Sequence, residues 1–372
     1  MRVLDIFYYR YLTPDGQGLS IGGIETYISQ LCQLATSMGI RCRIFQIGTF
    51  QKRDLAYAEV YAVACGKENP FPTLYDFAKG LRRADDQVLN VIANDTLIPN
   101  WDVPNSLVIQ HGIGFDYETE RKGKEWMFML LNAYQNFKRV RALRHVDELV
   151  CVDNNYICWY RTMTRFHKVK MTPILNFTAL GPDQPTRKED GKVRLVFARR
   201  FVRIRGTRLF APVAGRLLEA FPELEIVWAG NGPDEGFLRD RFVGHERVHF
   251  TTYEAADSLA FHEGFDIAVV PTIFSEGTSL SLLEAMSAHC AVVCTNVGGM
   301  TNIVLDGYNG LMVTPDEEEL YTAVARLIQD KDLREQLAAH AYETVKASFS
   351  LEKWQEAWKR VLTRRFQELE RL

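Results

Sequence analysis

The chain has 372 residues, 47% hydrophobic, 12% aromatic and 24% charged, which fits ordinary globular domains and excludes disordered, collagen-like and disulfide-scaffold chains. At roughly 100–200 residues per domain, the length points to two domains, each able to bury a full core. Lysine and arginine number 44 against 47 acidic residues, a net charge of -3, so there is no global basic field to hold nucleic acid, and no such partner is expected.

The start, Met1-Arg-Val-Leu-Asp-Ile-Phe-Tyr-Tyr-Arg10, carries Asp5 where a secretory leader would be apolar and has no A-x-A site after it, so it reads as a first strand. Further strands are expected at Arg43–Ile47, Val88–Ala93, Ser106–Gln110 and Glu148–Val152, with helices such as Ile24–Met38 and Lys124–His145 between them. From about Ala179 to Lys192 the chain turns polar and is punctuated by Gly and Pro, which is linker chemistry. The rhythm then restarts: strand Val193–Ala198, helix Thr207–Phe221, strand Leu224–Ala229, helix Asp234–Phe242, strand Val248–Thr251, helix Glu254–His262 and strand Ile267–Pro271. A helix at Thr278–His289, a strand at Ala291–Cys294 and a helical tail from Asp316 complete the pattern.

This alternation is the mark of right-handed βαβ units. The expected fold is α/β, two Rossmann-like doubly wound parallel-sheet domains facing a cleft, where the carboxyl ends of the strands bind ligands. The domains are placed at 1–180 and 192–350, with 351–372 as a C-terminal helix. On that helix Trp354, Ala357, Trp358 and Val361 share one face. Seven cysteines (Cys32, Cys42, Cys65, Cys151, Cys158, Cys290, Cys294) are odd in number, scattered and mostly set among apolar neighbours, as reduced core residues of a cytosolic protein would be. Cys290 and Cys294 bracket a strand-like run without zinc spacing, and His249 sits in a strand, so no metal site is expected.

The most informative segment is Pro271-Thr-Ile-Phe-Ser-Glu276-Gly277-Thr278-Ser279-Leu280-Ser281-Leu-Leu-Glu284-Ala285-Met286: a strand end, a tight glycine turn and a new helix. Glu276 falls in the loop at the carboxyl edge of the sheet. The free amides of Thr278, Ser279 and Leu280 open a helix suited to a phosphate. Glu284 lies almost two turns further in, with Ser281 on its face, where a carboxylate can accept two hydrogen bonds from the vicinal hydroxyls of a ribose. The alternative is a solvated loop residue and an exposed helix position. Arg199-Arg200-Phe-Val-Arg-Ile-Arg205-Gly206 follows a strand and is either a solvated face or a polyanion patch. Gly22-Gly23 opens the first helix in Ser20-Ile-Gly22-Gly23-Ile24-Glu25, and His111 follows the strand Ser106–Gln110 with Asp116 as a candidate neighbour. Asn94 and Asp95 follow another strand end, as acceptor-side residues or a plain turn. Gly230-Asn-Gly232-Pro233 is a glycine-rich turn after a strand.

The Glu-Gly…Leu-Leu-Glu-Ala-Met frame resembles the signature of retaining glycosyltransferases of family 4, which have the GT-B fold. The resemblance continues through Ala291-Val-Val-Cys-Thr-Asn-Val-Gly298-Gly299-Met and Asp306-Gly-Tyr-Asn-Gly310-Leu-Met-Val, covering most of the second half and, more weakly, the first. It implies that Glu276, with Gly277, contacts the donor sugar and that Glu284 holds the nucleotide ribose. Arg200 and Arg205 fall on the positions that grip the donor diphosphate in a G-R-L…K-G segment, while Arg199 replaces the usual Gly and Arg205 the usual Lys. Asn302 stands where relatives often have Glu. Gly230 matches a G-x-G-P turn, Gly22 and Gly23 match a G-G-x-E beside donor phosphate and acceptor, and His111 matches an element that touches the donor sugar. In this fold the last helix crosses back to the first domain.

The expectation is therefore a transferase that moves a sugar from a nucleotide diphosphate donor to a hydroxyl on a glycan or lipid-linked acceptor, with retention, as in polysaccharide, glycolipid or lipopolysaccharide synthesis. Arg200, Arg205 and the helix start would neutralise the departing diphosphate. No metal or other cofactor is expected, and D-x-D is absent, as are Walker A, H-E-x-x-H and G-x-S-x-G patterns. The rivals are a nucleotide-sugar epimerase, a non-catalytic sugar-nucleotide-binding subunit and a Rossmann dehydrogenase, the last disfavoured because no compact G-x-G-x-x-G follows the first strand. No run of about 18 apolar residues occurs. The expected location is the cytoplasm, with Lys124–His145 available to lie on anionic lipid at the inner face of a membrane, or to serve as a core helix with cations at its C-terminus.

Overall fold

The computed structural model describes residues 1–20, 22–66, 69–112, 125–163, 169–185, 190–274 and 276–371. The described residues form two compact units: one from Met1–His111, the residues up to Leu175 and those from Trp354 on, the other from Asn176–Lys353.

The first unit runs β1 (Arg2–Phe7), α1 (Gly23–Ser37), β2 (Arg41–Ile47), β3 (Lys52–Leu55), β4 (Ala58–Val63), α2 (Phe71–Gly80) and β5 (Gln87–Ile92). It continues through β6 (Ser106–Gln110), α3 (Glu125–Ala142), β7 (Glu148–Cys151), α4 (Asn154–Met163) and β8 (Lys170–Pro173). Its sheet has the order β3-β4-β2-β1-β5-β6-β7-β8, parallel except for the antiparallel pair β3/β4. The central strands β1 and β6 are buried almost throughout, as strands covered on both faces must be. The exception in composition, Asp5, is fully buried and satisfied: Arg43 Nε and Nη2 donate to its two oxygens at 2.7 and 3.0 Å, and Arg82 adds a second cation.

The second unit runs β9 (Val193–Ala198), α5 (Thr207–Ala220), β10 (Leu224–Ala229), α6 (Glu235–Arg241), β11 (Val248–Thr251), α7 (Ser258–His262), β12 (Ile267–Val270) and α8 (Leu280–Ser287). Then follow β13 (Ala291–Thr295), β14 (Leu311–Val313), α9 (Glu317–Gln329) and α10 (Lys331–Ser348), after which α11 (Leu351–Leu369) leaves the unit. Its sheet is parallel throughout, in the order β11-β10-β9-β12-β13-β14. Phe197, Phe210 and Trp228 anchor its core, with Trp228 4.8 Å from Phe197. The polar stretch 176–183 is tied into this unit rather than hanging free. Thr178 N donates to Phe349 O, Gly181 N to Ser287 Oγ, and the Tyr342 hydroxyl to Gly181 O.

Beyond Lys353, α11 belongs to the first unit. Trp354 and Trp358 are buried, Trp358 Nε1 donates to the Tyr27 hydroxyl at 2.8 Å, and the Trp354 ring meets Tyr27 edge-on at 5.0 Å. Arg364 Nη2 donates to both oxygens of the buried Glu148, at 2.8 and 2.7 Å.

In doubly wound sheets ligands gather where the strand order reverses. In the second unit this is between β9 and β12, so the loops after these strands, Arg199–Gly206 and Pro271–Ser279, are neighbours. In the first unit it is between β1 and β5, which brings the approach to Gly22-Gly23 and the turn at Asn94-Asp95 to one sheet edge.

Candidate functional site

The loops after β9 and β12 are locked together by their backbones. Ile273 N donates to Ile204 O, and Gly206, at φ +84°, ends the 3-10 turn Arg203–Arg205 so close to β12 that a Cβ would lie 1.8 Å from Pro271 O. This packing turns three side chains toward Glu276. Arg199 Nη2 donates to Glu276 Oε2 at 2.5 Å, Arg205 Nη1 donates to the same oxygen, and Thr272 Oγ1 reaches it at 3.2 Å. Arg199 Nη1 in turn donates to Thr272 Oγ1. The side chains of Arg199 and Glu276 are 5% and 11% exposed, so this cluster is largely shielded from water. Burial pushes the Glu276 carboxyl up, but the charges of Arg199 and Arg205 outweigh it and hold the group below the ordinary carboxylate range.

Arg200 is exposed and, among the described residues, its side chain has no hydrogen bond or ion pair, leaving its charge available to a ligand. Its backbone neighbours are fixed. Phe201 N donates to Asn231 O, and a Cβ at Gly230 (φ +147°) would lie 2.1 Å from Arg199 O, so only glycine lets this turn lie on the strand end. Ser279 is the residue before α8, and among the described residues no side chain caps that helix, which leaves its first amides for an anion. Thr278 and Ser279 themselves are buried. The Gly298-Gly299 turn presses on the same loop, with Gly299 N donating to Glu276 O at 2.8 Å. Glu284, half-buried on α8, lies close enough to Tyr253 and His262 to act on both. Burial raises the Tyr253 hydroxyl above its usual range and the Glu284 charge adds to this. Burial lowers the His262 imidazole, and there Glu284 opposes the shift. Tyr253 stacks on Phe261 at 4.4 Å.

In the first unit, His111 Nε2 lies 3.0 Å from Ala93 O, so that nitrogen carries the proton and donates, leaving Nδ1 as an acceptor. Burial lowers its pKa to about 4, and the ring is neutral at pH 7. Tyr27 meets it edge-on at 5.4 Å. Gly22 precedes α1, which has no side-chain cap, and the missing Cβ at Gly22 leaves room for the Glu25 carboxylate. Glu25 is buried and accepts from the Tyr8 hydroxyl at 3.2 Å. Asn94 spends its amide oxygen on Thr96 N, capping a 3-10 turn. Burial raises the Asp95 carboxyl, against the pull of Arg139. Asp116 and Lys124 lie outside the described residues. Among the described residues no group of His, Cys, Asp and Glu is arranged to hold a metal.

With this geometry in hand, the comparisons are specific. Residues 192–330 match the family model described as Glycosyl transferases group 1. Arg199, Arg200, Arg205, Tyr253, Thr272, Glu276, Glu284 and the Gly298-Gly299 turn all lie within that span. A D-inositol 3-phosphate glycosyltransferase of Paenarthrobacter aurescens is 28% identical over 179 residues, 44% of this chain and 44% of that protein. The chain spans about half or less of the length of the curated relatives it matches. Over the whole chain the fold is that of sucrose-phosphate synthase from Thermosynechococcus elongatus, with TM-score 0.75, 18% identity, and 99% and 100% of the two chains covered. It is likewise that of Anabaena HepE, solved in complex with UDP-glucose, with TM-score 0.70, 13% identity, and 98% and 100% covered. The fold is GT-B.

Three residues of this site escaped the sequence reading as functional candidates. Arg199 registered only as an arginine in place of glycine, and that very anomaly was the available signal. Thr272 and Tyr253 carried none, since their place beside Glu276 and Glu284 depends on which loops the parallel sheet makes adjacent.

Proposed function

We propose that the protein is a glycosyltransferase that moves a sugar, with retention, from a nucleotide diphosphate-sugar to a hydroxyl of a glycan or lipid-linked acceptor. The observation that carries this reading is the Glu276 carboxylate clamped by two arginines beside the uncapped start of α8, inside the span matched by the family model. Arg200, exposed and unpaired among the described residues, and the α8 amides would take the diphosphate, neutralising charge as the leaving group departs. Glu276 accepts from a sugar hydroxyl, and Glu284 from the ribose diol. His111, neutral with Nδ1 available as an acceptor, is read as a further hydrogen-bonding group for the sugar. Glu276, held on one oxygen by Arg199, Arg205 and Thr272, is assigned to hydrogen bonding the donor sugar and not to covalent attack on it. The reading is therefore a front-face displacement in which the leaving phosphate oxygen takes the acceptor proton, with no metal required.

The test is calorimetric titration of UDP, GDP, ADP and CMP into the protein and its Glu284→Ala variant. One diphosphate binds selectively, and the variant weakens it by about 1–3 kcal/mol, the cost of removing a hydrogen-bonded charged partner. Binding is unchanged by EDTA. Absence of binding to all four by folded protein removes the reading.

Helix α3 supports a lipid-facing role. Trp126, Leu130, Tyr134 and Phe137 are exposed on one stripe, Trp126 to 65%, while Asn132 and Asn136 turn polar atoms inward. The core-helix alternative does not describe it. Lys138 and Arg141 continue the outer stripe. Among the described residues no helix is long and apolar enough to cross a membrane, so we propose peripheral binding of a cytoplasmic protein to anionic lipid. At ~1 kcal/mol per cation, Lys138→Ala/Arg141→Ala should reduce partitioning onto phosphatidylserine vesicles roughly thirtyfold in a flotation assay. Equal partitioning of variant and parent would remove α3 from the membrane.

A further inference from the structure

A guanidinium buried at the end of a central strand is tolerated only when its charge is compensated and its donors are used. Arg199 meets both conditions on one carboxylate. Nη2 donates to Glu276 Oε2 and Nη1 to Thr272 Oγ1, whose own hydrogen points to the same Oε2, where Arg205 also donates. Three donors thus converge on one oxygen, while Oε1 accepts no hydrogen bond among the described residues. The clamp is rigid at its roots. Arg199 N donates to Ala229 O, Gly230 lies directly against Arg199 O, and the Thr272 carbonyl accepts from Thr295 Oγ1.

We propose that Arg199 is a positioning residue for the donor sugar: together with Arg205 and Thr272 it fixes Glu276 by one oxygen and presents the other, Oε1, as the acceptor for a sugar hydroxyl. The inference rests on the sugar-transfer reading and adds to it a residue that touches no substrate. An oxygen that already accepts three hydrogen bonds cannot swing to meet a ligand, so the direction of Oε1 is set before binding, and the cost of ordering it is not incurred on binding. The charged groups facing Glu276 are Arg199 from the β9 end and Arg205 from the following turn. Tyr253 and Cys294, which face Arg199, are kept neutral by burial.

The experiment follows the Glu276 carboxyl carbon by NMR in 13C-glutamate-labelled protein, assigned by its loss in Glu276→Gln, in the parent, Arg199→Gly and Arg199→Lys. In the parent the carboxyl titrates below the ordinary range. In Arg199→Gly its midpoint rises by about 1–3 units, the effect of an adjacent guanidinium on a carboxyl, and the charge kept in Arg199→Lys restores most of the shift. Should Arg199→Gly not fold, Arg199→Met keeps the buried bulk without charge and is expected to give the same rise. In parallel, UDP-glucose, GDP-mannose, ADP-glucose and the three free diphosphates are titrated by calorimetry. Loss of Arg199 weakens the bound nucleotide-sugar about tenfold, leaving the matching free diphosphate within about twofold, as a sugar-specific hydrogen bond requires. An unmoved midpoint with donor binding intact overturns the clamp alone. Equal weakening of nucleotide-sugar and diphosphate overturns the sugar role and makes Arg199 a phosphate residue. Failure of the parent to bind any of the six overturns the sugar-transfer reading, while the titration still decides whether Arg199 holds Glu276.

Discussion

Glu276→Gln lowers the unfolding free energy by about 3–5 kcal/mol at pH 7, the cost of leaving a buried charge without its partner. The stranded group is Arg199, whose side chain is only 5% exposed and so has little water to replace the lost carboxylate. Arg205, 29% exposed, can turn outward and loses little. The difference between parent and variant depends on pH with a defined sign. The folded carboxyl titrates below its ordinary value, so its stabilisation is complete above the unfolded value near 4.5 and is lost as pH falls through the lower folded value. Chemical denaturation at pH 7 and at successively lower pH should show the gap closing on acidification. A gap that stays constant or widens would sink the ion-pair account. In an assay of sugar transfer, the same variant loses about tenfold to hundredfold in kcat/KM, the worth of a hydrogen bond to a charged group.

How far these residues were legible in the sequence varies along the chain for physical reasons. Strands β9 and β10 begin and end where the apolar runs do, because they lie inside the sheet and are bounded by charge or glycine. The hairpin β3/β4 escaped, since Lys52–Leu55 is an exposed edge strand whose polar residues need no apolar alternation. So did β8, an edge strand of mixed burial that ends on Pro173. The helical tail resolves into α9, α10 and α11. One break is a local signal, Asp330, which accepts from Leu333 N and starts α10. The expected helix Glu254–His262 is regular only from Ser258, after a 3-10 turn.

The site divides in the same way. Glu276, Gly277 and Ser279 could be placed on a loop and a helix start because the glycine turn and the following apolar run are adjacent in sequence. What Glu276 touches could not be placed, because Arg199, Arg205 and Thr272 come from two loops about seventy residues apart that meet only through the β9/β12 pairing. Helix α3 is the opposite case: its apolar residues have helical periodicity, yet the stripe faces outward and asparagines face in. Periodicity reveals that a helix has two faces, and it does not reveal which of them the protein covers.

The placement of Glu276 depends on a backbone contact as much as on its arginines, and Gly298→Ala tests it. Gly298 has φ +54°, and a Cβ there would lie 2.1 Å from Glu276 O and 3.0 Å from Glu276 N. These are main-chain atoms, so relief requires the loop carrying Glu276 to retreat by about an ångström. That would break the Gly299 N to Glu276 O bond and draw the carboxylate off its clamp. A misplacement of this size costs about 10²-fold in rate, and we expect that loss in sugar transfer from Gly298→Ala, with the protein still folded. Gly244→Ala is the matched control, at φ +72° with nothing within 4 Å of a Cβ, in the loop before β11. It bears the left-handed backbone strain alone, about 1–2 kcal/mol, and transfer continues at the parent rate. If both variants lose stability equally and both retain transfer, the Gly298 turn does not set the position of Glu276. If only Gly298→Ala fails, the turn is what holds the carboxylate in reach of the donor.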